Sequence, residues 1–396
     1  MRRRRTTLAA PALAVAMAVL LALVVPAARA GAAPERSPAI PIRFVNLDAT
    51  SSTTAARQGV TAAVRQINRS GGIAGQRLVV KECLTNKTTE RGKACIDDAI
   101  AAKPAAVFAV QPGTATDHLA ALTAAGIPFV GQTCNAGATL GGQYTSFCFG
   151  SDFVGLFASA AAYLKTLGTV KKVGVPYVNV PAAATGIKAY ANPILLRAGI
   201  SPVEVPVPEG TTDPTAAITP AFGAGIDAVI PLLAGPGCVS TMKLRATQAT
   251  AVPVVFPALC TDPDVIADGG AGAKGALFVR QTLMSGKKDA DARLYRKAMA
   301  RFAPDASIGD VYVQAGFAGI MNLASALRRV PAGTPIDAAS TTAALRGAKQ
   351  VPMFLTPGAT YSCDGTAFVG LRALCSIQSH VVEYRSRDDW IDKGLF

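Results

Sequence analysis

Ile42-Arg-Phe-Val-Asn-Leu47, Asp48-Ala-Thr-Ser-Ser-Thr-Thr54, an alanine-rich segment, and then Gly71-Gly-Ile-Ala-Gly-Gln-Arg-Leu-Val-Val-Lys-Glu82 follow one another near the start of the chain. The first run is β-branched and aromatic and is bounded by Pro41 and a hydroxyl-rich cluster, which predicts a strand. Ala56, Val60, Val64 and Ile67 recur at three- and four-residue steps, the apolar stripe of a helix, with Arg57, Arg65 and Arg69 on other faces. Gly71 and Gly72 end that helix, because glycine tolerates the left-handed conformation of a C-cap. Residues 77–81 then read as a second strand. Strand, crossover helix and strand make a βαβ unit with a parallel sheet. Ligands of open α/β sheets sit beyond the carboxyl ends of the strands, so the 48–54 loop, with Asp48, Ser51 and Ser52, is a candidate ligand wall.

The same grammar continues. Residues 88–103 read as a helix, 105–110 as a strand, and Gln111-Pro-Gly-Thr114 as a polar loop leading into a helix over 116–125. A strand at 127–130 is followed by Gly131-Gln-Thr-Cys-Asn135, so three polar loops converge on one sheet edge. Tyr144 precedes a stretch that leads into a helix at 155–167. A second α/β series begins with a strand at 171–178 and its loop over 179–185, followed by a helix at 185–198, an extended run at 202–208, and strands at 228–232, 254–256 and 276–279. Gly270-Ala-Gly-Ala-Lys-Gly275 matches a dinucleotide-binding pattern, but it precedes a strand instead of following one, and reads as a turn. Helices at 289–302, 310–327 and 341–348 and strands within 375–384 complete the chain.

Ile67-Asn-Arg-Ser-Gly-Gly-Ile-Ala-Gly-Gln-Arg-Leu78, placed after such a strand and loop, resembles the opening of the leucine/isoleucine/valine-binding protein family, the type I periplasmic-type solute receptors of ATP-binding cassette importers. The resemblance runs over nearly the whole chain beyond residue 30. It implies two Rossmann-like three-layer lobes with parallel sheets, joined by a three-stranded hinge, the type I periplasmic binding protein fold. The N-terminal lobe would comprise 42–150 and 281–350, the C-terminal lobe 151–280 and 351–396. By the same analogy Gly113 and Thr114 match one ligand-holding turn of the family and 133–135, with Thr133 and Asn135, another. Hydroxyls, an amide and backbone N–H groups suit a carboxylate or ammonium ligand on chemical grounds as well. Gln111, Tyr177, Asn179, Ala182 and Asp262 complete the expected ligand set. Two departures bear on the ligand. Where amino-acid-binding members place covering aromatics, this chain has Pro181 and Ala182 in one loop and Ser51, Ser52 and Thr53 in the other, with Tyr177 or Tyr144 as substitutes. Such a site is wider and more polar.

Residues 1–30 read as a secretory signal peptide: Arg2 to Arg5, an apolar core over 8–25, and Ala28-Arg-Ala30 as a cleavage site. Pro11 and Pro26 interrupt the apolar run, which weighs against a membrane anchor. Residues 31–41 read as a flexible leader. The formal charge of +14 includes Arg2, Arg3, Arg4, Arg5 and Arg29, and falls to +9 without them. The remaining basic residues are scattered, which argues against nucleic acid as a partner. All eight cysteines lie beyond residue 30. An even count in an exported chain favours disulfides, and proximity in sequence suggests Cys83 with Cys95, Cys134 with Cys148, Cys238 with Cys260 and Cys363 with Cys375. Zinc is the competing reading, but no Cys-x-x-Cys occurs and the only histidines are His118 and His380.

An enzyme would want a nucleophile with a positioned base, and no Gly-x-Ser-x-Gly elbow occurs. Asp48, Asp152 and Asp262 at loop positions could converge as glycosidase carboxylates, or equally serve as ammonium ligands or helix caps. His118, a turn beyond Gly113, is the one histidine with a path to a cleft. The sequence therefore predicts a monomeric, cofactor-free receptor for an amino acid or a related carboxylate or amide, working with a membrane permease. A ligand-sensing subunit of a signalling system and a secreted hydrolase are the alternatives.

Overall fold

The computed structural model describes residues 39–46, 51–86, 88–110, 113–134, 140–141, 143, 145–150, 152–248, 252–283, 289–387 and 389–396. The expected signal segment lies outside them. The first strand, β1 (Ile40–Asn46), starts inside the span expected to be leader, because Ile40 and Pro41 pair with Leu78 and Val79 of β2 (Leu78–Leu84). With β3 (Ala106–Ala109), β4 (Phe129–Thr133) and β5 (Ser146–Gly150) they form a wholly parallel sheet in the order β2-β1-β3-β4-β5. Every residue of β3 is buried, as expected of a strand covered on both faces.

One face packs Phe44 and Phe108 against the helices Ser51–Arg69, Ala290–Phe302 and Val311–Leu327, with Tyr295 and Phe317 at the centre of the cluster. The other carries Ile96, Leu119, Leu122 and Phe157 from the helices Thr89–Ala102, Leu119–Ala124 and Asp152–Thr166. Of the stripe foreseen at Ala56, Val60, Val64 and Ile67, Ala56, Val60 and Ile67 are buried in the first of these clusters and Val64 packs half-buried against it. Its contact with the Val311–Leu327 helix is close enough to require glycine on both sides. A Cβ on Gly316 would overlap the Ala56 carbonyl, and one on Gly59 the Val313 carbonyl.

The second lobe is built differently. β6 (Lys172–Val178), β7 (Ser201–Val207) and β8 (Ala228–Val229) form a parallel sheet in the order β7-β6-β8. β9 (Val255–Phe256) and β10 (Leu277–Arg280) are parallel to one another, and a bridge between Val229 and Val254 joins them to β8. After the short antiparallel ladder of β11 (Val351–Pro352) and β12 (Thr360–Tyr361), the chain returns as a hairpin, β13 (His380–Ser386) and β14 (Asp389–Leu395). The hairpin extends the sheet in the order β14-β13-β10-β9, with β13 antiparallel to β10.

Three boundaries differ from expectation. The final strands start at His380 because Cys375 bonds instead to the backbones of Cys148 and Ser362. The helix expected at 185–198 starts at Pro181, since proline suits the first helical turn, and it widens into a π turn at Ile187–Ala191 before resuming as Asn192–Arg197. Pro193 offers no N–H to the regular pattern there. Thr133, expected in a loop, is the last residue of β4.

All eight cysteines pair with their sequence neighbours: Cys83–Cys95, Cys134–Cys148, Cys238–Cys260 and Cys363–Cys375. The chain segments near residues 150, 281 and 355 lie side by side. The Gln281 side chain abuts Gly150, the Thr356 hydroxyl donates to the Gln281 carbonyl, and the Leu283 N–H to the Leu355 carbonyl. Among the described residues no helix is long and apolar enough to cross a membrane.

Candidate functional site

Of the residues that the sequence singled out, Gly113, Thr133, Asn179 and Asp262 lie at or just beyond the carboxyl ends of parallel strands. Asp48, Gln111, Asn135 and Tyr144 lie outside the described residues, as do the side chains of Ser51, Ser52 and Asp152. Gly113 opens the 3-10 turn Gly113–His118 that follows β3, and Thr133 ends the neighbouring β4, where it is half-buried.

Thr114 is committed locally. Its hydroxyl donates to the Thr88 carbonyl at 2.6 Å, at the start of the Thr89–Ala102 helix, and Thr88 caps that helix by accepting from the Arg91 N–H at 3.2 Å. His118 Nε2 stands 3.3 Å from the Thr89 carbonyl in the same corner. The turn is thus clamped onto the next helix, and the lone pairs of the Thr114 oxygen are what remains for a ligand. Nearby, the Asn46 amide donates to Glu82 at 3.0 Å and Arg57 pairs with the other oxygen of that carboxylate at 2.5 Å.

In the second lobe, Asn179 follows β6 and its backbone N–H donates to the Val207 carbonyl at 2.7 Å. Ala182 is exposed in the first turn of the Pro181–Gly186 helix. Asp262, beyond β9, accepts from the backbone N–H groups of Asp264 and Val265, so it caps the Pro263–Gly269 helix, one of the roles the sequence left open. Tyr177 is not placed as a lid. It is buried within β6, its hydroxyl lies 3.3 Å from the Glu204 carboxylate, and Asn192 donates to the same carboxylate at 2.8 Å. Burial, then the Glu204 charge, raises the Tyr177 hydroxyl above its ordinary value, which keeps it protonated as donor.

A cavity of about 1170 Å³ opens at the carboxyl end of β10, and no expectation from sequence included the residues at its base. It is walled by Thr261, Pro263, Ile266 and Leu283 on one side, by Ser307, Ile308 and Gln314 on another, and by Tyr384 and Trp390 of the hairpin. Arg280 lies at its base and is only 7% exposed. The guanidinium carbon sits 5.5 Å from the centre of the Trp390 ring, and one terminal nitrogen donates to Gln314 Oε1 at 3.1 Å. The same oxygen accepts from Thr282 at 2.9 Å, while the Gln314 amide nitrogen donates to the Ile308 carbonyl.

No ion pair among the described residues includes Arg280, and its Nε is buried without an acceptor among them. Burial lowers the guanidinium to about 10, partly offset by Tyr295 and Asp310, so it is a cation at neutral pH. Asp310 is turned to other work, accepting from the Tyr312 and Val313 N–H groups at the start of the Val311–Leu327 helix. His380, opposite Arg280 in the β10–β13 register, bonds Asp392 and the Pro357 carbonyl, each at 3.0 Å, which agrees with a structural histidine. The clue to this cavity in the sequence was a cation at the end of an apolar strand, together with the chain's one tryptophan. Among the described residues, no group of three His, Cys, Asp or Glu side chains is placed to hold a metal ion.

A family profile described as periplasmic binding protein matches residues 48–374. No protein of curated function matches the chain. Solved structures share its fold at low identity. A branched-chain amino acid ABC transporter protein from Thermus thermophilus with bound valine aligns with a TM-score of 0.73 at 13% identity, over 91% of this chain and 97% of that one. A fatty acid ABC transporter substrate-binding protein from Thermomonospora curvata aligns with a TM-score of 0.72 at 14% identity, over 91% and 92%. A solute-binding protein from R. palustris in complex with benzoate aligns with a TM-score of 0.67 at 15% identity, over 90% and 96%. The two α/β lobes and a profile match covering most of the sequence agree, and the chain belongs to the periplasmic binding protein family, in the type I branch of the leucine/isoleucine/valine-binding proteins.

Proposed function

We propose that the chain is an exported receptor that captures a small polar metabolite, an amino acid or a related carboxylate or amide, between its lobes and delivers it to the permease of an ATP-binding cassette importer. The observation that carries this reading is the family match over residues 48–374, which takes in most of both α/β lobes, from the loop after β1 to just before the final hairpin. The strand ends supply suitable chemistry: the Thr114 oxygen and Thr133 on one wall, and the Asn179 side chain and the first turn of the Pro181–Gly186 helix on the other. Hydroxyls, amides and helix N–H groups hold a carboxylate or amide without changing it. A ligand that touches both walls favours the closed arrangement of the lobes, because only that arrangement completes its contacts.

Thermal denaturation of the purified protein against amino acids, amides, organic acids and sugars tests the proposal. A ligand present at about a hundred times its Kd adds about 2.7 kcal/mol to stability. Stabilisation by an amino acid, organic acid or amide is the expected result. Stabilisation by sugars alone would replace the ligand class, and turnover of a tested compound would replace the receptor by an enzyme.

A further inference from the structure

We infer that the amino-end edge of the first sheet is a docking surface for an anionic membrane, which holds the protein at the lipid headgroups. Basic residues scattered along the sequence are gathered there by the fold. The Ser51–Arg69 helix runs from the carboxyl end of β1 to the amino end of β2, so Arg65 and Arg69, four residues apart on one face, come to that edge. The Asn68 side chain bonds both the N–H and the carbonyl of Leu78, at 2.7 and 2.8 Å, which sets Arg69 close to Arg77 at the start of β2. Arg65 donates to the Phe302 carbonyl at 3.4 Å and so brings in Arg301, at the end of the Ala290–Phe302 helix. Lys103 lies two residues before Ala105, whose N–H donates to the Pro41 carbonyl near the start of β1. This edge is at the opposite end of the strands from the proposed ligand walls; its role rests on the reading of an exported chain but not on the identity of the transported ligand.

Arg65, Arg69, Arg77, Lys103 and Arg301 are all exposed, and none of them enters an ion pair among the described residues. The acids of the neighbouring strand and helix are engaged elsewhere: Asp97 with Lys93, Asp98 with Arg43 and Lys81, and Glu82 with Arg57. Asp305, three residues beyond Phe302, is exposed and offsets one charge of the five. Like charges held together without counter-ions repel one another, and an anionic surface turns that cost into attraction, each cation near it adding to the whole. The point at which the chain joins the fold favours a membrane over a soluble polyanion. The Ile40 N–H donates to the Arg77 carbonyl at 2.8 Å, so the chain enters β1 at this same edge. The apolar run read as the core of a signal segment ends at Val25, and residues 26–39 span at most about 50 Å when fully extended. While that run lies in the membrane during export, the basic edge is held within that distance of it.

Co-sedimentation of the purified protein, without residues 1–30, with phosphatidylcholine vesicles that contain or lack phosphatidylglycerol tests this assignment. Saturable binding to the anionic vesicles is expected at low ionic strength, with release at about 0.5 M salt, where screening shortens to a few ångströms. Arg65→Gln, Arg69→Gln and Arg77→Gln together should weaken that binding roughly a hundredfold. The same charge removed from exposed cations of the second lobe, by Lys188→Gln, Arg197→Gln and Lys243→Gln, should weaken it less than about fivefold. The Arg77 side chain makes no hydrogen bond among the described residues, so Arg77→Gln alone, with about a fivefold loss, carries the test if the first triple variant does not melt cooperatively. Absent binding, equal binding to vesicles without phosphatidylglycerol, or equal loss in the two triple variants would each overturn the assignment. Binding to inorganic polyphosphate but not to vesicles would replace the membrane by a soluble polyanion.

Discussion

The five-stranded sheet of the first lobe and the β14-β13-β10-β9 sheet of the second differ in where their strands come from. The first takes all its strands from one continuous stretch, 40–150, and runs them parallel with helices between. The second starts from strands as short as Val255–Phe256 and is finished by a hairpin from the end of the chain. Both are held by apolar packing that glycine brings to close range, at Gly59 and Gly316 in the first lobe and at Gly174 and Gly272 in the second, and the second also admits a buried cation at the tip of β10. Dense apolar contact gives rigidity, and an incompletely paired polar group leaves chemistry to be used.

The comparison breaks most readily at the glycine contact. Gly316→Val forces a branched side chain into the backbone of the Ser51–Arg69 helix, and is expected to cost about 3 kcal/mol or more in a urea unfolding titration. A loss below about 1 kcal/mol would mean that the helices separate easily and that the close contact does not hold the first lobe together.

Disulfide removal sharpens it. Replacing Cys238 and Cys260 by alanine should lower stability by about 3 kcal/mol, and replacing Cys83 and Cys95 by less. The first pair ties a helix to the turn after two-residue β9, where few ladder bonds share the load, while the second reinforces the seven-residue β2. Equal losses under denaturant would show that strand length does not decide the difference.

The smallest effect concerns pH. Asp227 accepts from the Lys171 and Lys172 N–H groups at 2.8 Å each, and these bonds hold its carboxyl below the ordinary value. A carboxyl lowered on folding contributes stability above its unfolded pKa and loses it as pH falls through the folded one. The stability gap between the native chain and Asp227→Asn should therefore narrow as pH falls below about 4. A gap constant across that range would remove Asp227 as an anchor of β6.

The first lobe was the more legible for a physical reason. Its periodic helix stripe and β-branched strands are local signals, and Ala56, Val60 and Ile67 are buried as that stripe requires, with Val64 half-buried beside them. β14 was missed because it is set by pairing with β13, a tertiary event, and none of its residues is buried, so no apolar alternation marks it. The candidate site was legible as a place, the carboxyl edge of the sheets, but less so in its residues. Asp262 and Thr114 turned out to be engaged with nearby backbone, and Tyr177 with Glu204, since polar side chains at strand ends serve caps as readily as ligands. Arg280 escaped notice because a lone arginine after an apolar strand gains meaning only when Gln314 and Trp390 are folded around it.

The disulfides join the cysteines in consecutive pairs, first with second, third with fourth and so on, with separations of 12, 14, 22 and 12 residues. A polypeptide emerging N-terminus first presents both members of a pair before any member of the next. Were the thiols oxidised in order of appearance, the native set would form with no wrong partner to reshuffle.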